Sequence, residues 1–185
     1  MIKMAKRMKD TILYWEVWQD GKYLVIHHGT VGDTGESEKQ KVPAFQKGQK
    51  IMGKLAKEKA AEGFDYLDED KLFQVVIQYT YEENEMEAAF DLRQSIEELM
   101  NECLGWTGNG ACDGGDIGQG TVNIFNYVID VNIAAKTIIE ELKYIGILEQ
   151  SKLAYVRPGD DAYITLYPEE ATFWFDVTYV RRNGG

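Results

Sequence analysis

The stretch from Ile12 to Gly35, ILYWEVWQDGKYLVIHHGTVGDTG, narrows the possible folds more than any other part of the chain. Large apolar and aromatic residues alternate with polar ones, the pattern breaks at Asp20-Gly21, resumes, and breaks again over Gly29, Gly32 and Gly35. Alternation with a period of two, interrupted by turn residues, predicts antiparallel strands over about Thr11 to Gln19 and Tyr23 to His27, joined at Asp20-Gly21. A polar strand over Glu36 to Val42 follows as an edge. Tyr14, Glu16 and Trp18 fall on one face of the first strand, and Leu13, Trp15 and Val17 on the other. Such a ribbon needs a cover, and the nearest candidate is a helix opening at Pro43. There Phe45, Gly48, Met52, Leu55 and Ala56 make an apolar stripe, Lys47, Lys50, Lys54 and Lys57 turn away from it, and Gly63 ends the helix.

Tyr14-Trp15-Glu16-Val17, Asp20-Gly21 and Leu24, then His28-Gly29-Thr30-Val31-Gly32 with Gly35, and finally Glu58-Lys59 and Gly63-Phe64 together resemble the WGR domain over about residues 13–64. The resemblance implies a small antiparallel sheet crossed by one helix. In the poly(ADP-ribose) polymerases this domain helps to grip broken DNA ends. The family's Trp-Gly-Arg signature falls here on His28, Gly29 and Thr30. A planar guanidinium fork suited to phosphate is thus replaced by a single hydroxyl.

The second half has a different chemistry. Residues 1–62 hold 12 Lys and Arg against 8 Asp and Glu, whereas residues 63–185 hold 8 against 23. A charge step of this size predicts two units with different surfaces: a basic leader over 1–10, a WGR-like domain over 11–64, an acidic linker over 65–71, and an acidic domain over 72–185. In the last, a strand over Leu72 to Tyr81 precedes a helix from an Asn84 cap to Leu104, with Ala89, Leu92, Ile96, Met100 and Cys103 on one face and acids on the other. A glycine-rich loop over 105–120 with a short strand near Gly110 to Cys112, a strand over Thr121 to Ile129, and a helix capped by Asp130 and stopped by Gly146 come next. Strands over Leu153 to Val156 and Ala162 to Leu166 follow, and a further one over Thr172 to Tyr179. This order resembles the ferredoxin-like βαββαβ unit with an extra C-terminal strand, so the expected class is α+β.

Sites of chemistry are sparse. His27 and His28 are the only histidines, and as strand neighbours they point to opposite faces; one is expected to pack inward and the other to lie at the turn. No metal cluster, cofactor fingerprint or nucleophile-base-orienter set emerges, so neither a metal nor a cofactor is expected and the chain reads as a non-enzyme. Cys103 and Cys112, the only cysteines, suit a reducing cytoplasm. No apolar run approaches a membrane span.

The leading expectation is an interaction protein whose acidic domain engages a basic protein through Glu97, Glu98, Glu102, Asp113 and Asp116, as an immunity protein masks a toxin. Against it stands an ordinary solvated helix face. The alternative is nucleic-acid binding through the first domain, with His28, Lys47, Lys50, Lys54 and Lys57 as contacts. A third reading places an enzymatic site in the 105–120 loop.

Overall fold

The Gly21-Lys22 turn sets the register of the first sheet: Asp20 pairs with Tyr23, Glu16 lies opposite His27 and Tyr14 opposite Gly29. The turn thus sits one residue later than the alternation suggested, with Gly21 supplying the positive φ of +56° that its first position needs. In the computed structural model, which describes residues 1–171 and 173, strands β1 (Ile2–Arg7), β2 (Ile12–Asp20), β3 (Tyr23–Thr30), β4 (Glu36–Lys41) and β5 (Asp65–Tyr66) form an antiparallel sheet in the order β4-β3-β2-β1-β5. Helix α1 (Gly48–Ala61) lies on one face, where Met52 and Ala56 pack with Met4, Trp15, Val17 and Leu24.

Three expectations need correction here. Residues 1–10 are not a leader: Ile2 and Met4 alternate into the α1 core while β1 pairs with β2, and three of the four cations that suggested a tail, Lys3, Lys6 and Arg7, ride on a strand. Residues 65–71 are not a simple linker, since β5 closes the sheet beside β1 and a 3-10 turn over Glu69–Lys71 follows, its N-terminus capped by Asp68. Helix α1 starts at Gly48 rather than Pro43: the chain first closes a turn through Gln46 N–H to the Pro43 carbonyl at 3.0 Å, and Lys47 is extended. Phe45, expected on its buried stripe, is fully exposed in the preceding loop.

The second half contains β6 (Phe73–Thr80), α2 (Met86–Trp106), β7 (Gly110–Gly118), β8 (Thr121–Val128), α3 (Val131–Tyr144), β9 (Lys152–Val156) and β10 (Ile164–Tyr167). Its sheet runs β10-β9-β6-β8-β7, all antiparallel, so β6 to β9 have the ferredoxin-like arrangement and β10 is added at the β9 edge. Val75, Ile77, Ile124 and Leu153 from the sheet pack with Ile96, Met100, Ile138 and Leu142 from α2 and α3. Asp130 caps α3 through Ile133 N–H at 3.0 Å, as expected. Helix α2 begins after a 3-10 turn in which Glu85 accepts from Glu82 N–H at 3.0 Å, so Asn84 is not its cap. The 105–120 stretch is no open loop: it completes the end of α2 and supplies the nine-residue β7, bulged between Cys112 and Gly115. The strand expected over Thr172 to Tyr179 lies outside the described residues, apart from Phe173.

The two sheets share a buried seam. Ile12, Tyr14 and Val31 pack against Ile129, with Leu67, Leu72 and Ile133 around them. Gly32 N–H donates to the Thr107 carbonyl at 2.9 Å across this seam, and Arg7 reaches the Ile129 carbonyl at 3.4 Å.

Candidate functional site

At the seam, the face of the first sheet opposite α1 carries a chain of polar side chains. Glu16 and His27 are cross-strand neighbours, and His27 Nδ1 lies 2.9 Å from Glu16 Oε1. A carboxylate only accepts, so Nδ1 carries the hydrogen and Nε2 of the neutral ring accepts from the Tyr14 hydroxyl, also at 2.9 Å. Lys3 reaches the second Glu16 oxygen at 3.5 Å, and the Tyr14 hydroxyl lies 3.4 Å from the Trp106 carbonyl at the end of α2. The Tyr14 hydroxyl has one hydrogen, which serves either His27 or that carbonyl. The His27 ring is packed edge-on against both Tyr14 and Trp106, with centroids 5.0 Å away in each case.

Glutamate, histidine and hydroxyl in series have the composition of an orienter, a base and a nucleophile, yet here they are sealed. Tyr14 and His27 are 2 % and 1 % exposed, and burial together with the Glu16 charge pushes the Tyr14 hydroxyl up to about 12. The ring fits only because its neighbours lack side chains. A Cβ on Gly35 or Gly108 would collide with Tyr14, and one on Gly29 would come within 3.1 Å of it. Gly29 and Gly35 are therefore spaced for close approach rather than for unusual backbone angles, and of the three glycines in the bend only Gly32 takes a positive φ, +99°. The inward histidine was expected; its partners were not. The Tyr14 and Glu16 alternation held the signal, which became usable only once the hairpin register was known.

Where the seam parts, a cleft of about 700 Å³ opens between the sheets. Lys3 and Tyr66 stand on the first-sheet side, Gly110 to Asp113 and Tyr127 on the second-sheet side, and Leu67, Glu69, Asp70 and Leu72 belong to the connecting segment. Lys3 is already held by Glu16, and Lys71, just outside, by Asp68 at 3.0 Å. Among the described residues no ion pair involves Glu69, Asp70 or Asp113. Cys112 lines this cleft half-buried, and burial raises its thiol to about 11; burial in the second core raises Cys103 to about 12. Neither is poised as a nucleophile near neutrality.

The predicted acidic contacts divide. Glu97 lies 3.4 Å from Arg93 Nε, and Arg93 also donates to the Gly115 carbonyl at 3.0 Å, tying α2 to the edge of β7. Asp116 accepts from Asn123 at 2.7 Å, and Asn123 in turn accepts from Gln78 at 2.8 Å on the sheet face away from the helices. These two acids have internal partners. Glu98, Glu102 and Asp113 are exposed. Glu98 and Glu102 continue a four-residue ridge on α2 that starts at Met86 and Phe90 and ends at Trp106, all three substantially exposed.

The basic candidates divide as well. His28 sits 3.8 Å from Glu38 across the β3-β4 pair, and Lys54 lies 3.7 Å from Glu58 within α1. Lys47, Lys50 and Lys57 are exposed. The hairpin turn and the exit of β4 meet through Val42 N–H to the Lys22 carbonyl at 2.9 Å, which gathers Lys22 and Lys41 at one end of the sheet. Gly48 at the start of α1 abuts Gln19 in the same hairpin, bringing Lys47 and Lys50 toward that end, where Phe45 and Tyr23 are exposed.

Among the described residues no cluster of His, Cys, Asp and Glu could hold a metal ion, and no helix is long and apolar enough to cross a membrane. Compared with protein-family models, curated proteins and solved structures, the chain matches none.

Proposed function

We propose that this chain is a non-enzymatic recognition protein whose acidic half engages a basic protein through the outer ridge of α2. The observation that supports it is the sequence of exposed groups along that helix. Met86 and Phe90 precede Glu98 and Glu102 along the helix, with Glu87 and Asp91 alongside. Aromatic anchors dominate the energetics of protein interfaces, while surrounding charge steers encounter and rejects partners of like sign. Masking of a toxin or nuclease by such a face is one concrete form of this activity. A reducing cytoplasm suits its two free thiols.

The test is capture of a partner by the full chain at low and moderate salt, with Glu98→Lys combined with Glu102→Lys, and separately Phe90→Ala. The expected partner has a basic surface, releases with salt, and is lost with either variant while circular dichroism stays unchanged. Retention of the same partner by both variants would remove this reading.

A second reading is favoured by a different observation, the exposure of Phe45 and Tyr23 among Lys22, Lys41, Lys47 and Lys50. Stacking planes set among cations suit single-stranded nucleic acid, and the WGR-like pattern of the first half points the same way. Titration of labelled single- and double-stranded DNA and RNA against the full chain tests it. Binding should weaken with salt and with Phe45→Ala or with Lys47→Glu and Lys50→Glu combined. Absence of salt-dependent binding at micromolar protein would eliminate it.

A further inference from the structure

We infer that the cleft between the two sheets is a recognition site for an arginine-bearing extended segment of a protein. The inference rests on the reading of the partner as basic and places a second contact away from α2. The cleft's 700 Å³ lies within the range of ligand pockets and suits a few residues of extended chain rather than a folded surface. Its charges select the ligand. Glu69 and Asp70 lie on the connecting segment and Asp113 on β7, so three acidic residues from two sides of the lining outnumber its two cations, the Met1 amino group and Lys3, the latter engaged by Glu16. An anion would be repelled. A bare metal ion lacks a donor cluster among the described residues.

An elongated cation with an apolar stem meets what is present. Tyr66 and Tyr127 stand in the lining, and an aromatic ring there suits a guanidinium, while Leu67 and Leu72 line the path of a methylene stem. Arginine is favoured over lysine because its planar head can stack and bond two carboxylates together. Cys112, in the same wall, serves as a reporter.

The experiment uses the full chain and the peptide acetyl-Gly-Arg-Gly-Arg-Gly-amide, with a control in which citrulline replaces each arginine and so keeps shape without charge. Two readouts are taken: backbone amide shifts on titration, and protection of Cys112 relative to Cys103 from alkylation, read by mass spectrometry. The arginine peptide should shift amides of residues 66–70 and 110–113 and slow Cys112 modification, and the citrulline peptide should do neither. Asp70→Asn combined with Asp113→Asn should weaken binding about fivefold or more, since two of three facing charges are lost. Lysine in place of arginine should bind more weakly.

Equal binding of the citrulline peptide, shifts confined to α2, an unprotected Cys112, or no binding at millimolar peptide would each overturn the inference. The α2 charge reversal separates the two proposals. If it abolishes partner capture while the peptide ignores the cleft, only the cleft assignment falls. If the peptide occupies the cleft while capture survives that reversal, only the α2 ridge falls.

Discussion

The seam between the two sheets has a closed end and an open end, and the two treat charge in opposite ways. At the closed end, the Glu16 carboxylate has both its oxygens engaged, by His27 and Lys3, the Tyr14 hydroxyl reaches His27 Nε2, and Gly29, Gly35 and Gly108 leave the space that the Tyr14 ring fills. At the open end, Glu69, Asp70 and Asp113 face a cleft with no ion pair among the described residues. A polar group removed from water must be satisfied internally, or it costs about 1 to 3 kcal/mol. A carboxylate left in water incurs no such cost and keeps its field available to a ligand. The charge at the closed end is consumed within the fold, and the charge at the open end stays available to a ligand, as the proposed recognition requires.

The largest effect should come from the closed end. Gly108 has a φ of +61° and no space for a Cβ against the Tyr14 ring, so Gly108→Ala combines backbone strain with overpacking. A loss of about 3 kcal/mol or more is expected from urea unfolding of the full chain. A neutral result would mean that Tyr14 is loosely held and that the seam is not closed at all. Next in size is His27→Leu, which strands Glu16 and Tyr14 in a dry contact and should cost about 2 to 3 kcal/mol. His28→Leu is the matched control. Its side chain is 38 % exposed and lies 3.8 Å from the exposed Glu38, so the expected change is within about 0.5 kcal/mol. Equal costs for the two histidines would erase the distinction between the ends.

How much of this was legible in the sequence varies with the range of the interaction concerned. The ferredoxin-like order of β6 to β9 follows from local signals, two-residue and 3.6-residue periods with Asp130 and Gly146 as punctuation, and it stands in the structure. Strand β1 was hidden because Lys3, Lys6, Arg7 and Lys9 read as a tail, while the alternation of Ile2 and Met4 between them was too short to weigh against that charge. The Glu16 to His27 pair depends on a one-residue choice of turn, and Tyr14 to Trp106 spans 92 positions. No local pattern encodes that second contact. Asp116 looked like a surface acid because a sequence shows charge but not the Asn123 that occupies it across the β7-β8 pair, whereas Arg93, four residues before Glu97 on α2, was a local signal. The cleft is a property of two sheets meeting, so neither half announces it.

A smaller effect follows from the Tyr14 hydroxyl, which burial chiefly and the Glu16 charge secondarily push from 10.0 up to about 12. Below pH 10 both the folded and the unfolded chain hold this proton, and the stabilisation is fully present. Between pH 10 and 12 the unfolded chain releases it while the folded chain retains it, so stability falls as pH rises through that window. Tyr163, also raised to about 12, and Tyr79, raised by burial, act in the same direction. The informative quantity is therefore the difference between the wild type and Tyr14→Phe. That variant should cost about 1 kcal/mol at pH 7, with the gap narrowing toward pH 12 in urea midpoints. A gap that stays constant with pH would show the hydroxyl to be solvated.

The smallest expected effect bears most directly on the open end. Asp70→Asn and Asp113→Asn remove charges that make no ion pair among the described residues, and neither side chain is buried. Each should change stability by no more than about 0.5 kcal/mol, and a slight gain at low salt is expected from relieved repulsion within so acidic a half. Thermal midpoints at low and moderate salt measure this. A loss above about 1 kcal/mol, insensitive to salt, would mean that these carboxylates hold the fold together as Glu16 does. The cleft would then be a second closed seam, and uncompensated charge would no longer distinguish the surface that binds from the surface that merely packs.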